Sequence, residues 1–159
     1  MRKMTKCWIL LLSGLIVSLL SPAQPTGSIE WDFYLSFNDD ISSLYSIENP
    51  DGTQSSTNLE LPVKNFNDNY GAVAKGYIIP DETGEYTFYV QADDQIEFWL
   101  SSDVTPENKS RVAYVHNYTN AWDKNEDQKG SVNLYEGESY YFEIYFKENG
   151  GGDWCKVGW

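Results

Sequence analysis

Cysteine, histidine and basic residues are scarce in this 159-residue chain, which has 2 Cys, 1 His and 11 Lys+Arg against 24 Asp+Glu. Beyond the N-terminal apolar segment the only cysteine is Cys155, so no disulfide can form within the remaining sequence. A zinc centre needs a cluster of Cys and His, and a serine or cysteine nucleophile needs a base, for which His116 is the sole histidine. We therefore interpret Cys155 as a small strand residue and not as a nucleophile.

The first 23 residues have the pattern of a secretory signal peptide. Basic residues at positions 2, 3 and 6 precede the 13-residue apolar run Trp8–Leu20, and Ser21, Pro22 and Ala23 follow as a cleavage region. The run is shorter than the roughly 20 residues that a membrane-spanning helix needs. We therefore predict a signal peptide at 1–23, a secreted or cell-surface location and no membrane insertion after cleavage.

All 24 acidic residues lie after residue 23, together with only eight of the basic residues. Such a surface repels nucleic acid and anionic membranes and tolerates divalent cations, so we predict no nucleic-acid partner. The same acidity also keeps an exported protein soluble, and charge alone therefore does not identify a cation site.

The chain after residue 72 alternates apolar and polar residues in short runs that are typical of strands. The predicted strands are VAKGYII, EYTFYVQA, QIEFWLSS, RVAYVH, SVNLY, SYYFEIYF and WCKVGW. Seven or more short strands in one domain predict an all-β fold, a single antiparallel β-sandwich or barrel-like sandwich over 24–159. We expect the polar region Asn38–Asn69 to be a long loop covering one end of it, with a short helix at Asp40–Ile47.

Two adjacent carboxylates, Asp93 and Asp94, lie between two of these strand-like runs. Neighbouring side chains on a regular strand point to opposite faces, so both can bind one ion only where the backbone is bent, bulged or cis. An acidic pair at such a break predicts a cation site.

Most aromatic residues follow the strand alternation, which indicates core and cross-strand packing. Trp122 and Tyr118 differ, because they lie in the polar segment Asn117–Asp127 between predicted strands. Each can stack on the apolar face of a sugar ring or anchor the loop on the sandwich, and the pattern leaves both alternatives open.

Several motifs occur in an order that resembles the domain family named for the fourteen-kilodalton region of anthrax protective antigen. They are GYIIPDETGEYTFYVQADDQIEFWLSSD, RVAYV, Trp122 and VNLYEGESYYFEIYFKENGGGDWCKVGW. The family includes the ligand-binding heads of yeast flocculins and epithelial adhesins and modules attached to bacterial glycosidases. The resemblance implies a β-sandwich whose sugar-binding members hold Ca²⁺ through two adjacent Asp residues joined by a cis peptide, here Asp93 and Asp94.

The resemblance also implies a second calcium-binding loop near the end of the domain, which is Glu148–Asp153 in this chain. Calcium takes about six to eight oxygen ligands, so Asn149 and Asp153 are expected to join the Asp pair as metal ligands. Trp154 adjoins the loop and is expected either to face the sugar or to enter the core. The predicted carbohydrate contacts are thus the Asp pair, Trp122 and Trp154.

The leading hypothesis is a secreted carbohydrate-binding module that depends on Ca²⁺ and whose partner is a glycan or glycoconjugate. The alternative is a non-catalytic protein-interaction or architectural surface module with a structural calcium or none. An enzyme is not expected, because a glycosidase needs two carboxylates about 5 to 9.5 Å apart beside a cleft and no pattern selects such a pair. Glu97 and Glu143 alternate with apolar strand residues and are expected on the solvent face.

Overall fold

The computed structural model describes residues 27–159, which form two antiparallel β-sheets packed face to face. The elements are β1 (Ile29–Tyr34), the 3-10 helix η1 (Ile41–Ser46), β2 (Gly52–Ser56), β3 (Tyr70–Ile78), β4 (Gly84–Asp93), β5 (Gln95–Ser101), η2 (Pro106–Asn108), β6 (Lys109–Val115), η3 (Glu126–Gln128), β7 (Lys129–Leu134), β8 (Tyr140–Glu148) and β9 (Trp154–Gly158). The predicted all-β sandwich is confirmed, and within the described residues the sheets do not close into a barrel. The predicted signal peptide, 1–23, lies outside this range.

The large sheet has the strand order β2-β1-β3-β8-β5-β6, and the small sheet has the order β7-β4-β9. Two pairings decide where the functional residues meet. Gln95 at the start of β5 pairs with Lys147 near the end of β8, and Asp93 at the end of β4 pairs with Trp154 at the start of β9. The ends of β4 and β8 and the starts of β5 and β9 therefore lie together at one end of the sandwich.

All seven predicted strands are present, but the long loop predicted over Asn38–Asn69, with its short helix at Asp40–Ile47, omitted one strand. The region contains η1, close to the expected short helix, and the edge strand β2. β2 is polar and mostly exposed, and backbone pairing with β1 holds it, so its side chains carry no strand signal. β1 was also missed.

The core lies between the two sheets and follows the strand alternation. In β4, Phe88, Val90 and Ala92 are fully buried and face the large sheet. Cys155 on β9 belongs to the same cluster, and burial raises the pKa of its thiol. This position agrees with the interpretation of Cys155 as a packed strand residue.

The outer face of the large sheet corrects one expectation. Glu97 and Glu143 do lie on this outer face, but they are only 2% and 4% exposed. Glu97 accepts hydrogen bonds from Tyr45, Trp99 and Arg111. The expectation of solvent exposure was wrong because η1 and the neighbouring aromatic side chains cover this part of the sheet. None of the helices in residues 27–159 is long and apolar enough to cross a membrane.

Candidate functional site

The Asp pair lies at the end of the sandwich where β4 and β8 end. Asp93 is the last residue of β4, and Asp94 is the one residue between β4 and β5. The peptide bond that joins them is cis, as the resemblance implied. The backbone N–H of Asn149 donates a hydrogen bond to Asp94 Oδ2 at 2.8 Å. The two segments that the sequence predicted to share a site are therefore in contact.

The loop between β8 and β9 packs closely against the Asp pair. Gly151 has φ +112°, a left-handed conformation that favours glycine. A Cβ atom at Gly152 would lie 3.4 Å from Asp93 Oδ2 and 3.5 Å from Asn65 Oδ1. Two glycines thus let the loop turn and bring its backbone next to side-chain oxygens.

Asn65 and Asp68 belong to the site, although the sequence placed them only in a cover loop. Asp68 Oδ1 accepts a hydrogen bond from the N–H of Gly151 at 3.2 Å, and Asn65 faces Gly152. The segment Asn65–Asn69 therefore packs against the glycine-rich loop beside Asp93. The available signal was its composition, because three Asn and one Asp directly precede β3.

Asp153, a predicted metal ligand, is buried beneath the loop and is 1% exposed. Its carboxylate accepts hydrogen bonds from the N–H of Phe66 at 2.9 and 3.1 Å and from the Tyr70 hydroxyl at 2.6 Å. Burial and this carboxylate raise the pKa of Tyr70. Asp153 therefore fixes the path of residues 65–70 at the site. Asn149, the other predicted ligand of this loop, accepts a hydrogen bond on Oδ1 from Lys147 Nζ at 2.7 Å.

Glu148 is the functional candidate that sequence reasoning missed. Glu148 is the last residue of β8, lies two residues after the core residue Phe146 and therefore points inward as Phe146 does. It is 0% exposed. Neither of its carboxylate oxygens makes a hydrogen bond of normal geometry among the described residues, although the backbone N–H of Gly150 lies close enough to affect it. Burial, followed by the charges of Asp94 and Asp93, raises the pKa of Glu148 to about 8, and the backbone amide of Gly150 lowers it by less. The pKa of Asp93 is also raised, by burial and then by Asp94 and Asp153.

These four residues, Asp93, Asp94, Glu148 and Asp153, are called the carboxylate site below. Within 27–159 no three His, Cys, Asp or Glu side chains form a ready-made metal-binding group. The Asp pair would supply only part of the six to eight oxygens that calcium takes, and the other donors would be Asn149, backbone carbonyls, water or a ligand. The donors are all oxygen, which suits a hard cation, and a cation would stabilise the ionised form of Glu148, which burial and the Asp pair disfavour.

Trp154 resolves one alternative left open by the sequence. It lies directly across from Asp93, while the next residues of β9 with core-facing side chains are Cys155 and Val157. Its half-buried indole is therefore on the outer face of the small sheet, beside the Asp pair, and does not enter the core. Tyr118 meets it edge to face, with 6.5 Å between ring centroids.

Trp122 lies on the same outer face and is 40% exposed. A Cβ atom at Gly158 would be 3.2 Å from its ring, so the indole covers the end of β9. Its loop is anchored by the buried residues Thr119, whose N–H donates to Ala92 O at 2.9 Å, and Gln128. Trp122 thus packs on the sandwich and still presents surface to solvent. Tyr118, Trp122 and Trp154 are called the aromatic face below.

Comparison with known sequences identifies related proteins. The family model of the PA14 domain matches residues 24–159. Mouse N-acetyl-beta-glucosaminyl-glycoprotein 4-beta-N-acetylgalactosaminyltransferase 1 is 36% identical over 99 residues, which are 57% of this chain and 10% of the transferase. Mouse fibrocystin-L is 30% identical over 82 residues, which are 51% of this chain and 2% of fibrocystin-L. The chain therefore spans a small part of the length of these relatives.

Comparison with solved structures supports the same fold. The Epithelial Adhesin 9 A domain from Candida glabrata, solved in complex with Galb1-3GlcNAc, has a TM-score of 0.59 and 20% sequence identity to this chain. The match covers 82% of this chain and 80% of the adhesin domain. The sandwich is thus similar in fold to a domain that binds a disaccharide.

Proposed function

This chain belongs to the PA14 domain family, and on that premise we propose that it is a secreted, non-catalytic carbohydrate-binding module that uses calcium. The observation that supports the proposal most is the meeting of Asp93 and Asp94 with the loop after β8, directly beside the unpartnered carboxylate of Glu148. The similarity in fold to a sugar-bound adhesin domain points in the same direction.

In this proposal Asp93 and Asp94 hold Ca²⁺ through carboxylate oxygens, and the glycine-rich loop offers backbone carbonyls. Bound calcium would supply coordination positions in which vicinal sugar hydroxyls replace water. Asn149 can add its Oδ1 once it gives up the hydrogen bond from Lys147. Asp153 acts as a positioning residue, since its carboxylate already holds Phe66 and Tyr70.

Trp154 supplies the apolar side of the proposed sugar site. Its indole is the cross-strand neighbour of Asp93, so a ring whose hydroxyls reach the Asp pair passes next to it. Aromatic surface beside polar donors is the usual composition of a small-ligand site. Affinity for a single sugar residue is expected to be weak, because the site is open and hydroxyls replace water without a large gain.

Two buried acids of the large sheet are not available as a catalytic pair. Glu97 and Glu143 lie beneath aromatic side chains on the outer face of that sheet. Glu97 is ion-paired with Arg111 at 2.7 Å, and Glu143 with Lys109 at 3.4 Å. Covered and paired carboxylates of this kind do not reach a glycosidic bond.

The first test is thermal unfolding of the purified chain in calcium and in chelator. A ligand at one hundred times its Kd stabilises the folded state by about 2.7 kcal/mol, so calcium should raise the Tm by several degrees. The double variant D93A/D94A should lose this shift. Its matched control is D39A/D40A, which removes an adjacent, exposed Asp pair and the same charge elsewhere on the surface, and should keep the shift.

The second test is retention on immobilised glycans in calcium. Retention by the natural chain and by D39A/D40A, with loss in D93A/D94A and in chelator, is the expected result. Unchanged retention in folded D93A/D94A would refute the proposed mechanism. A calcium-dependent Tm without retention on any glycan would instead favour the alternative, an interaction module with a structural calcium.

A further inference from the structure

Half of the basic residues in the described chain have no carboxylate within ion-pairing distance, although acidic residues outnumber them three to one. The ion pairs in residues 27–159 use Lys75, Lys109, Arg111 and Lys129. The basic residues outside these pairs are Lys64, Lys124, Lys147 and Lys156. In so acidic a protein, lysines without a carboxylate partner are expected to be scattered over the surface. A place where such lysines meet is therefore informative.

These four lysines occupy different parts of the sandwich, and two of them meet in one surface cleft. Lys147 is on β8 of the large sheet, where it is 8% exposed and donates to Asn149. Lys64 and Lys156 line the same surface cleft of about 340 Å³. Lys64 and Lys156 therefore place two cations without a carboxylate partner in the cleft that Trp154 lines.

The cleft is a direct continuation of the proposed sugar site. Trp154 and Lys156 both line it and lie on the outer face of β9, across from Asp93 and Gln91 respectively. Two residues along a strand span about 6.6 Å, so Lys156 is one such step away from the position beside the Asp pair. A glycan residue linked to the one at the Asp pair would therefore enter this cleft.

Lys156 is held in place by aromatic rings. Its Nζ lies 4.8 Å from the centroid of the Trp122 ring and 5.7 Å from that of Trp154. A cation over an aromatic face is attracted to the ring without losing its charge. The ammonium is therefore positioned and remains able to bind an anion.

We propose that the ligand is an anionic oligosaccharide, in which a carboxylate or sulfate group next to the calcium-bound residue binds Lys156 and Lys64. This inference rests on the proposed function and deepens it by naming the substrate class. Glu60 disfavours the binding of an anion, because this acid lines the same cleft and forms a backbone bridge with Lys156. Its carboxylate is not within 4 Å of either ammonium, so it weakens the binding of an anion without neutralising the two lysines.

The first experiment measures retention of the natural chain, in calcium, on neutral oligosaccharides each printed beside its carboxylated and its sulfated counterpart. We expect stronger retention on the acidic members, and the two acidic forms distinguish carboxylate from sulfate. Retention on the neutral members alone would overturn this inference and leave the proposed function standing. Retention on none would overturn both.

The second experiment measures the Kd of the best-retained acidic glycan and of its neutral counterpart for a set of charge variants. K156Q should weaken binding of the acidic glycan about tenfold and that of the neutral glycan less than twofold, since one partly exposed charge-assisted contact is lost. K156R should restore binding, and E60Q should strengthen it. The matched control K75Q removes a lysine from the other sheet and should change neither Kd. Equal weakening of both glycans by K156Q would overturn the inference, because Lys156 would then act only by packing.

Discussion

Replacing Glu148 by glutamine should make the protein more stable, compared with the natural chain, as the pH rises from acidic to neutral in the presence of chelator. The fold buries this carboxylate completely and gives it no hydrogen bond of normal geometry among the described residues. Ionisation of a buried, unpartnered carboxylate opposes folding. Glutamine does not titrate, so the variant removes the pH-dependent part of this cost.

The size of the effect follows from the pKa of Glu148, which is about 8 in the folded protein against an ordinary value of 4.5. Because the folded pKa is the higher one, the favourable contribution of the protonated form is complete below pH 4.5 and is lost as the pH rises through 8. Linkage with these two values gives a loss of about 1 kcal/mol at pH 5 and about 3 kcal/mol at pH 7.

Urea unfolding in chelator at pH 5 and pH 7 measures this loss. The difference in unfolding free energy between E148Q and the natural chain should grow by about 2 kcal/mol between the two pH values. Burying the glutamine side-chain amide lowers the unfolding free energy of the variant by the same amount at every pH. The quantity to compare is therefore the change of the difference with pH. The control E85Q removes an exposed acid from β4, and its difference from the natural chain should stay within about 0.5 kcal/mol. Parallel pH profiles for E148Q and the natural chain would refute the reasoning.

Two further predictions concern packing. Gly130→Ala places a Cβ atom 2.2 Å from the carbonyl oxygen of Val112 and should cost about 2 to 3 kcal/mol in urea unfolding, whereas Gly84→Ala on the same strand pair meets nothing within 4 Å and should cost about 0.5 kcal/mol or less. Equal costs would contradict the close β6–β7 contact. Arg111→Ala leaves the buried Glu97 without its cation and should cost about 2 to 3 kcal/mol, most of which R111A/E97Q should restore. A cost below about 0.5 kcal/mol would show that the pair is not coupled to folding.

The fold was predictable where side chains alternate, since a core between two sheets imposes a period of two on each strand. β4 shows this clearly, with Phe88, Val90 and Ala92 inward. β1 carried the same signal, because Trp31 and Phe33 are buried and alternate with acidic residues, and it was overlooked. β2 could not be found in this way, since its side chains are polar and mostly exposed, and it is held by backbone pairing with β1 and by one side-chain hydrogen bond from Trp31 to Ser56.

The site was predictable in part. Asp93 and Asp94 were visible as a break between strands, and the loop after β8 came from the resemblance to a known family. Glu148 had a weaker signal, because it continues the inward series of Ile144 and Phe146 and so places an acid on a core-facing position. The contact of Asn65 with the glycine loop depends on the path of a long irregular segment, which no periodic pattern encodes.

The alternation of apolar and polar residues shows which face of a sheet is the outer one, but it does not show whether that outer face is exposed to solvent. Only a solvent-exposed outer face can bind a ligand. On the large sheet, η1 and Tyr45 cover the outer face, so the acid at Glu97 becomes a buried structural charge. On the small sheet, the loop that carries Trp122 covers only the end of β9 and leaves Trp154 and Lys156 beside an open cleft. The segments that cover the sheets therefore bury one outer face and leave on the other the open cleft where we propose that a ligand binds.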